Sequence, residues 1–297
     1  MSALQAGIAA AFIGACLDEL EAPKPGNVHV FADGDGSSAA DFRRSAEVAA
    51  EPIARPGASV GERILGAIEA TRAAVGQNTN LGIVLLCAPL ARAAEMPAAR
   101  LQDSIAGVLA RLDVRDADLA FRAIALAAPG GLGRAERHDV SQRASVTLLE
   151  AMNEAAVRDR IARQYATDFA DVFNLGSPWW EAASRRWPQS PAAATLCVYL
   201  GFLAAFPDTH IQRKYGLEAA IEVQREAAPL YALLQNADDP AELWARALLF
   251  DASLKQRRLN PGAAADLTVA TLFARRLHDL GFPNISPNAL QSPRNND

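Results

Sequence analysis

Between residues 263 and 281 the apolar positions Leu267, Val269, Ala270, Phe273 and Leu277 fall on one stripe. Asp266, Arg275, Arg276 and Asp279 can lie on the other side. That spacing predicts an amphipathic helix, and Gly281 supplies its stop signal. Alanine and leucine dominate the rest of the chain, arginine is frequent and β-branched residues are sparse, which favours helix over most of its length. Helices are predicted over 3–21, 40–51, 58–76, 80–95, 98–111, 116–128, 141–162, 165–174, 179–186, 191–205, 215–226, 239–257 and 263–281. No strand–helix alternation appears, and no repeat of solenoid period. The expected fold is therefore all-α: one multi-helix domain over residues 1–284, its site built from inter-helix loops. The polar tail 285–297 is expected to fray.

Composition narrows the function. A chain of 297 residues, 51% hydrophobic, can bury a core without disulfides or structural metal. A formal charge of −5 argues against a nucleic-acid-binding surface. Any anionic ligand must then be held by local Lys and Arg. Cys16, Cys87 and Cys197 each sit in an apolar run, at spacings that suit neither zinc nor a disulfide framework. A reducing cytoplasm fits. The N-terminus does not read as a signal peptide. Apolar runs such as "LGIVLLCAPLA" are too short to span a bilayer, so no membrane partner is expected. Homo-oligomerisation is left open.

The unusual residues gather in five joints between helices. Three of four histidines (His29, His138, His210) and two of three lysines (Lys24, Lys214) fall there. In "KPGNVH" (24–29), Pro25 holds Lys24 extended, and Gly26 allows a sharp turn or a close approach to a ligand. The lysine reads as a charge aimed at phosphate, or as a solvated residue of a Pro-Gly turn. In "GQNTNLG" (76–82), Asn78 or Thr79 can cap the next helix, yet Asn78, Thr79 and Asn80 together suit an anion site at a helix N-terminus. "PGGLGRAERHD" (129–139) has the composition of a phosphate-cradling loop but not the P-loop pattern. Its Arg134, Glu136, Arg137, His138 and Asp139 could equally be a solvated first turn. In "PDTHIQRKYG" (207–216), Asp208 reads as an N-cap, a Mg²⁺ ligand or a general base, and His210 as a surface or capping residue. In "LNPGAAADL" (259–267), Pro-Gly opens a helix, and Asp266 turned inward would be costly unless paired or bound to a cation. Together the joints fit a site for a phosphorylated ligand. Its binding set is Lys24, Gly26, Asn27, Asn78, Thr79, Asn80, Gly82, Thr209, Arg213, Asn260 and Gly262. Asp208 and Asp266, with Asp139, would hold Mg²⁺.

In this order, "KPGNV" (24–28), "GQNTNLG" (76–82), "GGLG" with "HDV" (130–140), "DTHIQRKYG" (208–216) and "LNPGAAADL" (259–267) resemble the triphosphoribosyl-dephospho-CoA synthase family. The resemblance implies an all-helical transferase that takes ATP and 3′-dephospho-CoA and releases adenine. Its product would be the precursor of a decarboxylating enzyme's prosthetic group. It assigns Asp208 as metal ligand or base and Asp266 as metal ligand, both catalytic, with Lys24 and Arg213 on the triphosphate. The chain departs from the family pattern at four positions. His29 stands where an acid is expected, and Ala39 where a histidine is, although Asp41 is kept. Asn80 and Leu81 replace a His-Lys pair. Losing charged partners changes what a polar site accepts. Two alternatives therefore stand beside the family reaction. One is action on another phosphorylated substrate in cofactor biosynthesis, such as that of a one-carbon carrier. The other is a nucleotide-binding protein without chemistry.

Overall fold

The computed structural model describes residues 2–280, apart from 35, 97, 99 and 134–136. The stop signal at Gly281, the tail 285–297, and Arg134 and Glu136 lie outside the described residues. In chain order the helices are α1 (Ala3–Glu21), α2 (Ala39–Ile53), α3 (Val60–Val75), α4 (Leu81–Ala94), α5 (Leu101–Leu109) and α6 (Val114–Ala127). After a long connection come α7 (Leu148–Ala155), α8 (Arg160–Ala166), a π-helical turn (Val172–Gly176) and α9 (Ser177–Arg186). The chain ends with α10 (Pro191–Ala205), α11 (Thr209–Tyr215), α12 (Leu217–Asn236), α13 (Ala241–Gln256) and α14 (Gly262–Asp279). Among the described residues there is no strand, only two isolated bridges, His29 to Ala32 and Gly34 to Ser37. The expected all-α single domain is the fold observed.

The centre of the molecule consists of helices apolar on every side. In α4 and α10 nearly every residue from Leu81 to Ala94 and from Ala193 to Leu203 is buried. A helix hydrophobic all round has no solvent face to offer and must be surrounded. The inward face of α14 packs on α1, α4 and α10. By length and composition α1 could cross a membrane, contrary to the expectation that the apolar runs are too short. Here it packs against α2, α10 and α14, with Ile8, Phe12, Ala15 and Leu20 in the core.

Two predicted helices are divided differently. The stretch 141–162 breaks because Asp159 turns its carboxylate onto the N–H groups of Ile161 and Ala162, at 2.8 and 3.1 Å, and so starts α8 afresh. Arg160 then pairs with Asp171 through two hydrogen bonds of 2.7 and 2.9 Å. The joint at 207–216 folds into α11. Beyond it α12 runs ten residues further than predicted, because Ala227, Leu230 and Leu234 continue its buried stripe past Pro229.

Asp208 explains how α11 and α14 meet. Its Oδ1 accepts the N–H groups of His210 and Ile211 at 2.9 and 3.1 Å. Its Oδ2 accepts the N–H of Ala264 in the first turn of α14 at 2.8 Å. One carboxylate thus caps two helices. Asp208→Ala leaves three N–H groups without an acceptor. The expected loss is about 3 kcal/mol, since each buried orphan donor costs roughly 1–3 kcal/mol. Urea denaturation of the two proteins measures it, and Asp208→Asn should recover part of the difference.

Candidate functional site

A cavity of about 740 Å³ opens between α4, α6, α7, α8, α11 and α14. Four of those helices begin at its wall: Leu81–Ile83 of α4, Ile161 and Ala162 of α8, Thr209 and His210 of α11, and Gly262 and Ala263 of α14. Each helix start turns the positive end of its dipole toward the cavity, and Asn78, Asp159 and Asp208 already accept first-turn N–H groups at all four. Five cationic side chains, Arg72, Arg137, Arg158, Arg213 and Lys214, share the wall with five carboxylates, Glu19, Asp139, Glu154, Asp159 and Asp266.

Most of the predicted set meets here. Asn27, Asn78, Thr79, Gly82, Asp139, Thr209, Arg213, Asn260, Gly262 and Asp266 all line the cavity. Asn78, and not Thr79, is the functional cap of α4: its Oδ1 accepts the Leu81 N–H at 3.1 Å. Ser45 Oγ gives its proton to the Asp41 carbonyl at 2.7 Å, so Thr79 Oγ1 donates to Ser45 at 2.5 Å. Thr209 accepts the Arg160 N–H at 3.1 Å. The Arg213 guanidinium donates to the Gly130 carbonyl at 3.2 Å and lies 3.5 Å from Asp159, fastening the glycine-rich connection to α11.

Four predicted residues do not line the cavity. Asp208 is 2% exposed and committed to backbone N–H groups, which corrects its expected role as metal ligand or base. Burial nevertheless pushes its carboxyl up to about 6. Lys24 is fully buried. Its ammonium has three N–H bonds, and Glu19 at 2.6 Å, the Val28 carbonyl at 2.6 Å and Asn27 Oδ1 at 3.3 Å take all three. No proton remains for a phosphate, so the expected Lys24–phosphate contact is replaced by an internal one. Gly26, at φ +80°, is needed because a Cβ there would meet the Leu259 carbonyl at 2.5 Å, not because a ligand approaches. Asn80 donates to Thr71 at 3.0 Å, while its buried Oδ1 finds no donor among the described residues.

Asp266 is the unusual group. It faces the cavity, and no hydrogen-bond donor meets its carboxylate among the described residues. Burial, followed by the charges of Asp208, Glu19 and Asp159, pushes its carboxyl well above the usual carboxylate range, against the pull of Arg213. The fold makes room for it: a Cβ on Gly82 would lie 1.9 Å from Asp266 Oδ2. Gly262 serves His210 in the same way, with a hypothetical Cβ 2.1 Å from the ring. Burial, then Lys214 and Arg213, lower His210 to about 3, so it is a neutral imidazole at neutral pH.

The described residues contain no group of three His, Cys, Asp or Glu side chains able to hold a metal. The expected cage of Asp208, Asp266 and Asp139 is therefore not formed. Asp139 stands in the cavity wall and accepts the N–H and hydroxyl of Ser141 at 2.9 and 2.5 Å. One wall carboxylate of this kind fits a Mg²⁺ carried in on phosphates, which needs only one or two from the protein. Sequence reasoning missed Glu19, Asp159 and the part His210 plays. Glu19 lies within a predicted helix, where a lone acid gives no signal, and His210 was read as a surface or capping residue.

Residues 5–282 match the model of a family described as ATP:dephospho-CoA triphosphoribosyl transferase. A crystal structure from Archaeoglobus fulgidus, provisionally assigned as a triphosphoribosyl-dephospho-CoA synthase, is similar at a TM-score of 0.55 and 23% identity. The likeness covers 79% of this chain and 94% of that one, and speaks for the fold alone. No curated protein sequence matches the chain.

The raised Asp266 carboxyl gives a pH-dependent stability of known sign. The folded state holds this proton to higher pH than the unfolded chain does. Stability therefore falls as pH rises from the usual carboxylate range of about 4 toward the raised value. Asp266→Asn removes that cost. Its melting temperature at pH 7 should exceed the wild type's by about 3 °C, and the gap should close as pH falls to about 4. Thermal melts of both proteins across pH measure this.

Proposed function

The chain belongs to the ATP:dephospho-CoA triphosphoribosyl transferase family, and on that premise we propose that it transfers the triphosphoribosyl group of ATP to 3′-dephospho-CoA and releases adenine. The product would serve as a prosthetic-group precursor. The observation that carries this reading is the pairing, in one cavity, of a carboxylate that meets no hydrogen-bond donor among the described residues with arginine and lysine side chains and helix N-termini.

The cationic wall would hold the triphosphate. Arg213 and Lys214 from α11, Arg137 from the α6–α7 connection and Arg158 before α8 converge from separate elements. Ribose C1′ would then lie toward Asp266. As the bond to adenine breaks, positive charge develops on the ribose ring, and a carboxylate stabilises it. The same carboxylate has the raised proton affinity needed to take the proton of the attacking ribose hydroxyl. Neutral His210 and the apolar wall of Leu85, Phe121, Ile124 and Met152 would keep water from competing for C1′. Mg²⁺ enters this scheme with ATP, and Asp139 would hold it; when bound it neutralises phosphate charge. We also propose that residues 1–284 act as one catalytic domain, in the cytoplasm, where ATP is supplied.

Incubation with ATP, Mg²⁺ and 3′-dephospho-CoA should release adenine, read by chromatography, only when dephospho-CoA is present. Asp266→Asn should lower that rate about 100-fold or more while ATP still binds. Release that does not depend on dephospho-CoA would point to another acceptor or to hydrolysis. Nucleotide binding without release would favour the non-catalytic reading.

A further inference from the structure

Lys24 sits behind the cavity, but the hydrogen-bond sense it imposes reaches the cavity wall. An ammonium can only donate, so the atom of Asn27 that meets it at 3.3 Å must be the amide oxygen. Asn27 must then turn its NH₂ the other way, where it donates to Asn260 Oδ1 at 2.8 Å. That uses the Asn260 oxygen. Its NH₂ group has no acceptor among the described residues and is not a buried orphan, so it opens into the cavity that Asn260 lines. The direction is locked from behind: Lys24 cannot reverse it without abandoning Glu19 and Val28.

A donor fixed in this way requires a ligand atom that accepts. The same wall carries Glu19, and Asp266 lies one turn along α14 from Gly262. Those carboxylates repel a phosphate placed there. A neutral acceptor is required, and in a nucleotide the candidates unable to donate are the ribose ring oxygen and the purine ring nitrogens. A hydrogen bond to the ring oxygen would withdraw the lone pair that stabilises the cationic ribose. A hydrogen bond to the purine stabilises the electrons it receives.

Resting on the adenine-releasing reaction above, we propose that Asn260 is the leaving-group residue, donating its NH₂ to a ring nitrogen of the departing purine, and that Asn27 and Lys24 are the positioning residues that set its direction. In the step, the C1′–N bond breaks with its electron pair going to the purine, and the attacking hydroxyl oxygen bonds to C1′. The hydroxyl proton passes to Asp266 and is the proton that neutral adenine finally carries. Asn260 keeps both of its protons throughout.

Asn260→Asp tests this with little disturbance, because the new carboxylate still accepts from Asn27 and changes only the atom facing the cavity. With ATP its kcat should fall about 100-fold, the scale of losing one donor aimed at developing charge, while the ATP dissociation constant changes less than about threefold. Base release is then measured with 3-deaza-ATP and 7-deaza-ATP, each lacking one purine ring nitrogen. With one of the two, the wild type should already be slow and Asn260→Asp should cost nothing further. Asn27→Asp, which turns the Asn260 amide around without adding a charge to the atom that faces the purine, should give the same pattern. Equal losses on all three nucleotides would overturn the proposal, as would a loss seen only in binding. A wild type that binds ATP but releases no base from any nucleotide would overturn the transferase reading and this one with it, a result distinguishable from the other two.

Discussion

One carboxylate fixes the geometry on which the site depends. Asp208 accepts N–H groups from the first turns of both α11 and α14 and holds the two helix starts together in the interior. Everything that follows on those helices is placed by that joint: His210 and Arg213 on one, Gly262 and Asp266 on the other. The close fit explains the glycines. Gly262 gives way to the His210 ring, and Gly82, at the start of α4, gives way to the Asp266 carboxylate. A methyl group at Gly262 would push apart α11 and α14, which the Asp208 clamp pulls together, and one at Gly82 would push α4 from α14.

The clamp has an electrostatic consequence. It sets Asp208 near Asp266, Glu19 joins them from α1, which packs on α14, and each of these carboxyls is pushed upward, chiefly by burial. Asp208 is offset by backbone N–H groups and Glu19 by Lys24, so both belong to the framework. Asp266 alone of the three has no such compensation among the described residues. A fold that leaves one cavity-facing acid without a hydrogen-bond donor sacrifices stability for a group whose charge is best stabilised when a cation, or a transition state resembling one, arrives.

Lys24 illustrates the difference between a residue's chemistry and its position. Its place between Pro23 and Pro25 suggests a stiffly presented charge, and the ammonium is indeed held fast by three partners. The charge, however, points inward, to Glu19, Val28 and Asn27. Its nearest neighbours are themselves built into the frame: Gly26 donates to Asp251 at 2.9 Å, and Asp251 also meets His29 and Lys255. The histidine that stands where the family pattern has an acid is thus paired with an acid from α13.

The sequence by itself determined that the chain is helical, where most of its helices start, and that the unusual polar residues gather in the joints. These are local properties: stripe periodicity, caps and Pro-Gly signals act within a few residues, as Ser59 with Glu62 and Asp113 with Asp116 do in their capping boxes. Ten of the predicted site residues line one cavity, because polar side chains crowded at helix starts have few other places to go. Only the tertiary structure decided which of them face the cavity. Asp208 and Asp266 are indistinguishable as acids near a helix start. One is consumed by an N–H group 56 residues away and the other is not. Glu19 gives no local signal and enters the site only because α1 packs on α14. Pairing across such separations depends on how whole helices dock, and no short window of sequence contains it.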